Sequence, residues 1–88
     1  MEIYLDNSAT TRPSKSAIKA MNNAMDTIYG NPSSLHRKGM DAEKIVRDAR
    51  RSIAESINAE PSEIIFTSGG TESNNLGIRG FLERNTRL

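Results

Sequence analysis

The stretch "IIFTSGGTESNN", residues 64–75, decides how this chain is interpreted. It opens with an apolar run typical of a short strand buried on both faces. Gly69 and Gly70 then mark a turn, and Thr71 begins a segment whose apolar residues have helical spacing. These residues alone leave two interpretations open. One is an ordinary strand-to-helix turn capped by Ser68 or Thr71, and the other is a cradle for a bound phosphate.

The phosphate interpretation follows from the chemistry of a helix N-terminus. The first N–H groups of a helix have no partner within it, and the helix dipole favours an anion there. Gly69 and Gly70 would let the backbone approach a phosphate without a Cβ in the way, and Thr71 adds a hydroxyl donor. A Walker A loop is excluded because no Gly-Lys-Ser/Thr follows the glycines, and the dinucleotide pattern G-x-G-x-x-G is absent.

The composition limits the classes of protein that fit. The chain has 88 residues, of which 35% are hydrophobic and 5% aromatic, so it is at most one small domain with a sparse core. A net charge of +1 gives no reason to expect nucleic acid or a membrane surface as a partner. The absence of cysteine excludes disulfides and thiolate chemistry within this chain. With no secretory signal at the N-terminus, the expected compartment is the cytoplasm.

Periodicity and turn residues predict three helices and one or two strands. The predicted order is a short strand at 2–5, a helix that begins after Pro13 with Ser14 as its N-cap and runs to about Ile28, a longer helix from Leu35 or His36 to Ile57, a strand at 63–67, and a helix from Thr71 to about Arg84. The last helix is predicted to turn four apolar residues inward, Leu76, Ile78, Phe81 and Leu82.

The strand at 63–67 has no evident partner in this inventory. A lone strand leaves its backbone groups unpaired, and a sheet usually needs about three or more strands to be stable. We therefore predict an α/β fold, of which this chain is the helix-rich opening segment. The alternative is a compact helical domain in which 64–67 is irregular.

A second pair of motifs is "YLDNSATT" at 4–11 and "GNPSSLHRKG" at 30–39. Taken alone, the first is a strand end with Asx-type turns at Asp6 and Asn7. In the second, a lone histidine, His36, favours a surface or capping role over metal binding. One histidine and scattered carboxylates do not make a metal site, so neither a metal ligand nor a catalytic residue is predicted in this chain.

Together, "YLDNSATT", "GNPSSLHRKG", "AR" at 49–50 and "EIIFTSGGTESNNLGIRG" at 63–80 closely resemble the N-terminus of cysteine desulfurases. The resemblance is to the nitrogen-fixation and iron–sulfur-cluster type. Those proteins are class V aminotransferases with the aspartate-aminotransferase-like fold that depends on pyridoxal 5′-phosphate (PLP). The resemblance spans nearly the whole chain, from Tyr4 to Gly80.

The resemblance implies roles for particular residues. Gly70 and Thr71 match the family's dipeptide that binds the PLP phosphate through backbone N–H groups and the threonine hydroxyl, and Glu72 would brace the turn. Residues 31–36 match a loop near the active-site mouth and the dimer interface, with no catalytic role assigned. Residues 1–12 would form an N-terminal arm on the small-domain side, and 13–88 would begin the PLP-binding large domain without completing it.

The reaction that the resemblance implies is conversion of L-cysteine to L-alanine by a homodimer. The sulfur passes through an enzyme persulfide to an acceptor protein for iron–sulfur cluster assembly. Four functional residues of the family have no counterpart in this sequence: the PLP-binding lysine, the histidine stacked on the ring, the aspartate and the mobile cysteine. We therefore expect this chain to be a fragment that is inactive alone, with weak or absent PLP binding. The alternatives are a non-catalytic binding or dimerisation module and another class V enzyme, a transaminase or lyase.

Overall fold

The structure is a computed structural model that describes residues 1–85. In this part of the chain it contains three α-helices and one short 3₁₀-helix: α1 (Lys15–Asp26), α2 (Arg37–Ser56), the 3₁₀-helix Pro61–Glu63, and α3 (Gly70–Arg84). The contacts divide the chain into two compact units, Met1–Ala49 and a second that begins at Arg50. The assignment of 1–12 and 13–88 to an arm and a large domain stays a prediction.

Helix α1 begins at the predicted N-cap. The Ala17 N–H donates to Ser14 Oγ at 3.1 Å, which gives one otherwise unpaired donor of the first turn a partner. At the other end, the N–H of Thr27 donates to the Asn23 carbonyl at 2.9 Å. The helix therefore starts where the sequence predicts and ends about two residues earlier than predicted.

Helix α2 has a side-chain hydrogen bond at its start and a left-handed residue just after its end. The Gly39 N–H donates to His36 Nδ1 at 3.3 Å, so the one histidine of the chain serves as an N-cap. The helix ends at Ser56, and two residues further on Asn58 has a left-handed φ of 55°. There the Ala59 N–H reaches back to the Ala54 carbonyl at 2.8 Å. Asparagine tolerates this conformation better than most residues, which explains the stop after Ser56.

The predicted strands are wrong for the residues that the structure describes. No strand is present in 1–85, and 61–63 form a 3₁₀-helix that is closed by the Glu63 carboxylate on the Glu60 N–H at 2.8 Å. Ile64 is extended, with φ −98° and ψ 124°. The run at 64–67 has no regular secondary structure, because a strand exists only where a second strand pairs with it. The described part of the chain is all-helical, which confirms the predicted helix-rich segment but not its strands. The α/β class of the larger fold stays a prediction.

Burial of apolar side chains is slight in both units. Within the described residues, Ala42 in the first unit and Ala54 in the second are the buried hydrophobic side chains. The four residues predicted to face inward from α3 are exposed instead: Leu76 47%, Ile78 63%, Phe81 61% and Leu82 58%. The predicted inward orientation of these four residues is therefore wrong for the part of the chain described, because nothing in 1–85 covers them.

Candidate functional site

Helix α3 begins inside the glycine pair, with Gly69 at the N-cap position and Gly70 as its first residue. Glycine has no side chain to cap the helix, and no cap hydrogen bond is formed. The first N–H bonded to the Gly69 carbonyl is that of Ser73, at 3.1 Å. The N–H groups of Gly70, Thr71 and Glu72 consequently have no acceptor among the described residues, as expected for a helix N-terminus that lacks a cap.

Side chains on the two sides of the glycine pair hydrogen-bond to each other. Ser68 Oγ donates to Glu72 Oε2 at 2.5 Å, and the Ser68 N–H donates to the same oxygen at 3.2 Å. One residue earlier, Thr67 Oγ1 lies 2.5 Å from Ser73 Oγ and donates to the Gly69 carbonyl at 3.1 Å. These bonds, which we call the turn clasp, hold the turn while leaving the donors of α3 open.

The glycines of the turn are not required by the chain's own structure. Gly69 has φ 167°, which is extended backbone open to any residue. A Cβ built on Gly69 or Gly70 meets no atom within 4 Å. Gly39 differs, because a Cβ there would lie 2.7 Å from the Asn31 carbonyl oxygen. The open space at 69 and 70 therefore suits the close approach of a group from outside the chain.

The electrostatics of the turn combine a favourable and an opposing contribution. The N-terminus of α3 and the exposed Thr71 hydroxyl favour an anion, since both present hydrogen-bond donors. The hydroxyl of Ser68, and then its backbone N–H, lower the pKa of the Glu72 carboxyl, so this group is ionised at neutral pH. The turn clasp pairs this carboxylate with Ser68, so Glu72 does not occupy the open N–H donors. The donor set thus fits a phosphate.

Gly70 and Thr71, the residues predicted to bind the PLP phosphate, are the first two residues of α3. The fold brings their N–H groups together with the Thr71 hydroxyl at one helix end. Glu72, predicted to brace the turn, does so through Ser68. Cofactor binding at Gly70 and Thr71 remains a prediction.

The segment at 6–11 closes on itself. Tyr4 Oη lies 3.0 Å from the Asp6 carbonyl and 2.8 Å from that of Thr10, and the Ala9 N–H donates to the Asp6 carbonyl at 3.1 Å. Thr11 Oγ1 donates to the Asn7 carbonyl at 3.1 Å. The "DNSATT" motif is thus a local turn that uses its own polar groups.

The loop at 31–36 is likewise built from local hydrogen bonds. Asn31 Oδ1 accepts the Ser33 N–H at 2.9 Å, and the Asn31 carbonyl accepts the Ser34 N–H at the same distance. With His36 capping α2, the histidine has the structural role that the sequence favoured over metal binding. Its expected place near an active-site mouth remains a prediction.

Sequence reasoning assigned no role to Arg50. Its Nε donates to the Ile64 carbonyl at 3.3 Å, and its guanidinium carbon lies 5.0 Å from the centre of the Phe66 ring. Helical spacing does not reveal a contact between residues fourteen positions apart. The only signal was the short "AR" motif of the resemblance.

Residues 1–85 contain neither a candidate metal site nor a helix suited to cross a membrane. No group of three or more histidine, aspartate or glutamate side chains there is placed to hold a metal ion. In the same range, no helix combines the length and apolar character that crossing a bilayer requires.

Comparison with known proteins identifies the family. The family described as "Aminotransferase class-V" matches residues 3–87. The chain therefore belongs to the class-V aminotransferases, a PLP-dependent family, as the motifs predicted.

The chain is similar to proteins named for two related activities. It is 48% identical to "Cysteine desulfurase IscS" of Dictyoglomus turgidum over 90% of this chain and 20% of that protein. It is 51% identical to "IscS-like cysteine desulfurase" of Mycobacterium tuberculosis, over 88% and 19%. It is 46% identical to human "Selenocysteine lyase", over 93% and 18%.

The chain spans about a fifth of the length of these curated relatives and corresponds to their N-terminal part. This confirms the predicted resemblance to an N-terminal segment of a cysteine desulfurase. No solved structure matches the chain.

Proposed function

We propose that this chain supplies the phosphate-binding segment of a PLP-dependent cysteine desulfurase that converts L-cysteine to L-alanine and an enzyme persulfide. The observation that supports the proposal most is the glycine turn, where α3 starts with open N–H donors and no steric need for glycine. The identity of 48–51% to two proteins named as cysteine desulfurases supports the choice of reaction.

The residues of the turn divide between binding and positioning. The N–H groups of Gly70 and Thr71 and the Thr71 hydroxyl would hold the phosphate. Glu72 would remain hydrogen-bonded to Ser68 and would not contact the phosphate. When bound, PLP supplies the electron sink that the carbon–sulfur chemistry needs. The task of this segment is to orient the cofactor by its phosphate end.

This chain is proposed to be inactive alone. It contains no cysteine to carry a persulfide. Its lysines, Lys15, Lys19, Lys38 and Lys44, match no PLP-binding motif, and all four are exposed. The remaining four fifths of a relative would supply the PLP-binding lysine and the sulfur-carrying cysteine. Homodimerisation, a cytoplasmic location, a sulfur-acceptor protein and a role in iron–sulfur cluster assembly belong to this proposal for the whole enzyme.

Complementation tests the proposal. The 88-residue chain is mixed with a polypeptide matching the C-terminal four fifths of the Dictyoglomus turgidum relative, and sulfide release from L-cysteine with PLP is measured. We expect sulfide release from the mixture and none from either piece alone. Release by the 88-residue chain alone with PLP and cysteine would contradict its predicted inactivity.

Substitution at Thr71 separates phosphate binding from assembly. In the complemented mixture, Thr71→Ala should weaken PLP binding about tenfold or more, because a hydrogen bond to a charged group is worth about 1.5–3 kcal/mol. Ser62→Ala, on the exposed 3₁₀-helix, is the matched control and should leave PLP affinity unchanged. Equal affinity of the Thr71 variant and the control would refute the assigned phosphate contact.

A second candidate is a selenocysteine lyase. The bovine and human proteins of that name are 44% and 46% identical to this chain, close to the values for the desulfurases. The phosphate turn does not distinguish the two reactions. Two mixtures compare them, one with the C-terminal piece of the Dictyoglomus turgidum desulfurase and one with that of the human selenocysteine lyase, each assayed with its own substrate. Complementation of the lyase piece alone would favour the lyase.

A further inference from the structure

In the C-terminal part of α2, Arg50 contacts the run at 64–67 that precedes the glycine turn. Arg50 is half-buried, and its Nε donates to the Ile64 carbonyl at 3.3 Å. Its guanidinium carbon lies 5.0 Å from the centre of the Phe66 ring. One side chain therefore contacts two positions of the run, two residues apart.

Two contacts at this spacing restrict the run more than one would. Arg50 contacts the backbone of Ile64 and the side chain of Phe66, so it restrains residues 64–66 at two separate points. The Ile64 carbonyl has no ladder partner within 1–85, which leaves it available to the arginine. A guanidinium can donate at its edge and stack with its face at the same time, whereas a lysine ammonium is a compact charge.

The constraint continues into the glycine turn. Phe66 is followed directly by Thr67 and Ser68, whose hydroxyls bond to Ser73 and Glu72 in the first turn of α3. A continuous series of contacts therefore joins Arg50 to the helix end that carries the open N–H donors. A shift of residues 64–66 moves one half of the turn clasp relative to the other.

We propose that Arg50 is the positioning residue of the glycine turn: by holding the Ile64 carbonyl and the Phe66 ring, it sets the geometry of the turn clasp and of the donors of Gly70 and Thr71. The anchoring stands on contacts within the second unit alone. Only its consequence for phosphate binding rests on the proposed function.

The test compares three variants of the 88-residue chain by NMR. Arg50→Ala removes both contacts, and Arg50→Lys keeps the charge but not the combined edge and face contacts. Arg47→Ala is the matched control, since Arg47 lies on the same helix and forms an exposed ion pair with Glu43 at 3.2 Å. Helix content by circular dichroism is measured for all, so that a variant that fails to fold is recognised.

The first readout is the turn clasp itself. In both Arg50 variants we expect faster exchange of the Ser68 amide proton and a Glu72 carboxyl titration midpoint that moves up toward the ordinary value. The Arg47 control should change neither. Because Arg50→Lys retains the charge, a change in this variant cannot come from lost Coulomb attraction. If the Arg50 variants and the Arg47 control gave the same amide exchange and the same midpoint, the proposal would be overturned.

A double-mutant cycle with Phe66→Leu tests whether the ring and the arginine act together. If they do, replacing Arg50 in the Phe66→Leu background should change Ser68 amide exchange less than in the parent chain. Full additivity of the two substitutions would overturn the stacking part of the proposal.

The second readout is PLP titration of the mixture complemented with the C-terminal piece of the relative, as in the Thr71 test. We expect several-fold weaker binding in both Arg50 variants than in the Arg47 control. If Thr71→Ala in the same mixture bound PLP as tightly as the parent chain, the proposed phosphate contact would fail, while the Ser68 and Glu72 readouts would still decide the role of Arg50. The two proposals can therefore fail separately.

Discussion

Glu72 shows how one side chain in the glycine turn combines structure with charge. Its Oε2 accepts the hydroxyl and the N–H of Ser68, and both bonds favour the ionised carboxylate. The same charge lies in the first turn of α3, where the helix dipole also favours it. Glu72 thus stabilises the turn without occupying the open donors of Gly70 and Thr71.

The lowered pKa of the Glu72 carboxyl gives the turn a predictable pH dependence. Because the pKa is lower in the folded chain than in the unfolded one, the clasp contributes its full stability above about pH 4.3, the ordinary value for glutamate. This contribution is lost as the pH falls through the folded pKa. We therefore expect the Ser68 amide to lose exchange protection as the pH falls through the lowered pKa of Glu72, measured by NMR across a pH series.

Ser68→Ala is the matched variant for this pH dependence. It removes the first and larger cause of the shift but keeps the backbone N–H bond, so the Glu72 midpoint should move up part of the way. An unchanged midpoint in this variant would contradict the assignment of the shift to the Ser68 hydroxyl.

The sequence predicted Gly70 and Thr71 as phosphate-binding residues, but it did not predict the contacts of Arg50 with the residues before them. The two residues stand in a specific motif, so a resemblance was enough to select them. Spacing alone left a turn and a cradle equally open. The contact of Arg50 with Phe66 depends on where the chain returns after α2, which no local pattern encodes.

At the scale of elements, the helices were predictable because their start and end signals lie in the local sequence. Ser14 caps α1 and Asn58 ends α2, and both act through local hydrogen bonds or backbone conformation. The strand at 63–67 was not realised, because a ladder needs a second strand and residues 1–85 offer none. Local sequence therefore predicted the helices well but could not predict whether the strand would form.

The loop before α2 packs against that helix through Gly39. A Cβ at this position would overlap the Ser34 carbonyl oxygen and lie 2.7 Å from that of Asn31. We expect Gly39→Ala to destabilise the N-terminal turn of α2 by about 1–3 kcal/mol, as overpacking does. Amide exchange in that turn measures the free energy of local opening.

Gly77→Ala is the matched control, since a Cβ at Gly77 meets nothing within 4 Å. It lies within α3, where alanine should be more favourable than glycine by about 0.5–1 kcal/mol. A destabilising effect at Gly77 as large as that at Gly39 would mean that the helix end does not need the space that Gly39 leaves.

At the scale of the whole molecule, exposed apolar side chains outnumber buried ones. Ala42 and Ala54 are the buried hydrophobic residues of 1–85, whereas Met25, Phe66 and Phe81 are 66%, 45% and 61% exposed. Small side chains bury little area, and the stability gained is roughly proportional to the apolar area buried. The described chain thus has weak internal support and much surface suited to further packing.

We expect the isolated chain to unfold gradually on heating and to bind a hydrophobic dye, because little apolar area is buried in either unit. Circular dichroism and 8-anilinonaphthalene-1-sulfonate fluorescence measure the two effects. Adding the C-terminal piece of the relative should reduce the dye signal and sharpen the transition. A sharp transition of the isolated chain without dye binding would favour the alternative of an autonomous binding module.

The empty space around Gly69 and Gly70 has a consequence for variant libraries. A screen that sorts variants by abundance detects positions where a new side chain disturbs folding, and a Cβ at these two glycines meets no neighbour. Such a screen would retain substitutions there and reject those at Gly39. A second screen, selecting for retained cofactor, would reject substitutions at the two turn glycines. Positions that pass the first screen and fail the second would therefore test whether the turn is the surface proposed to contact the phosphate.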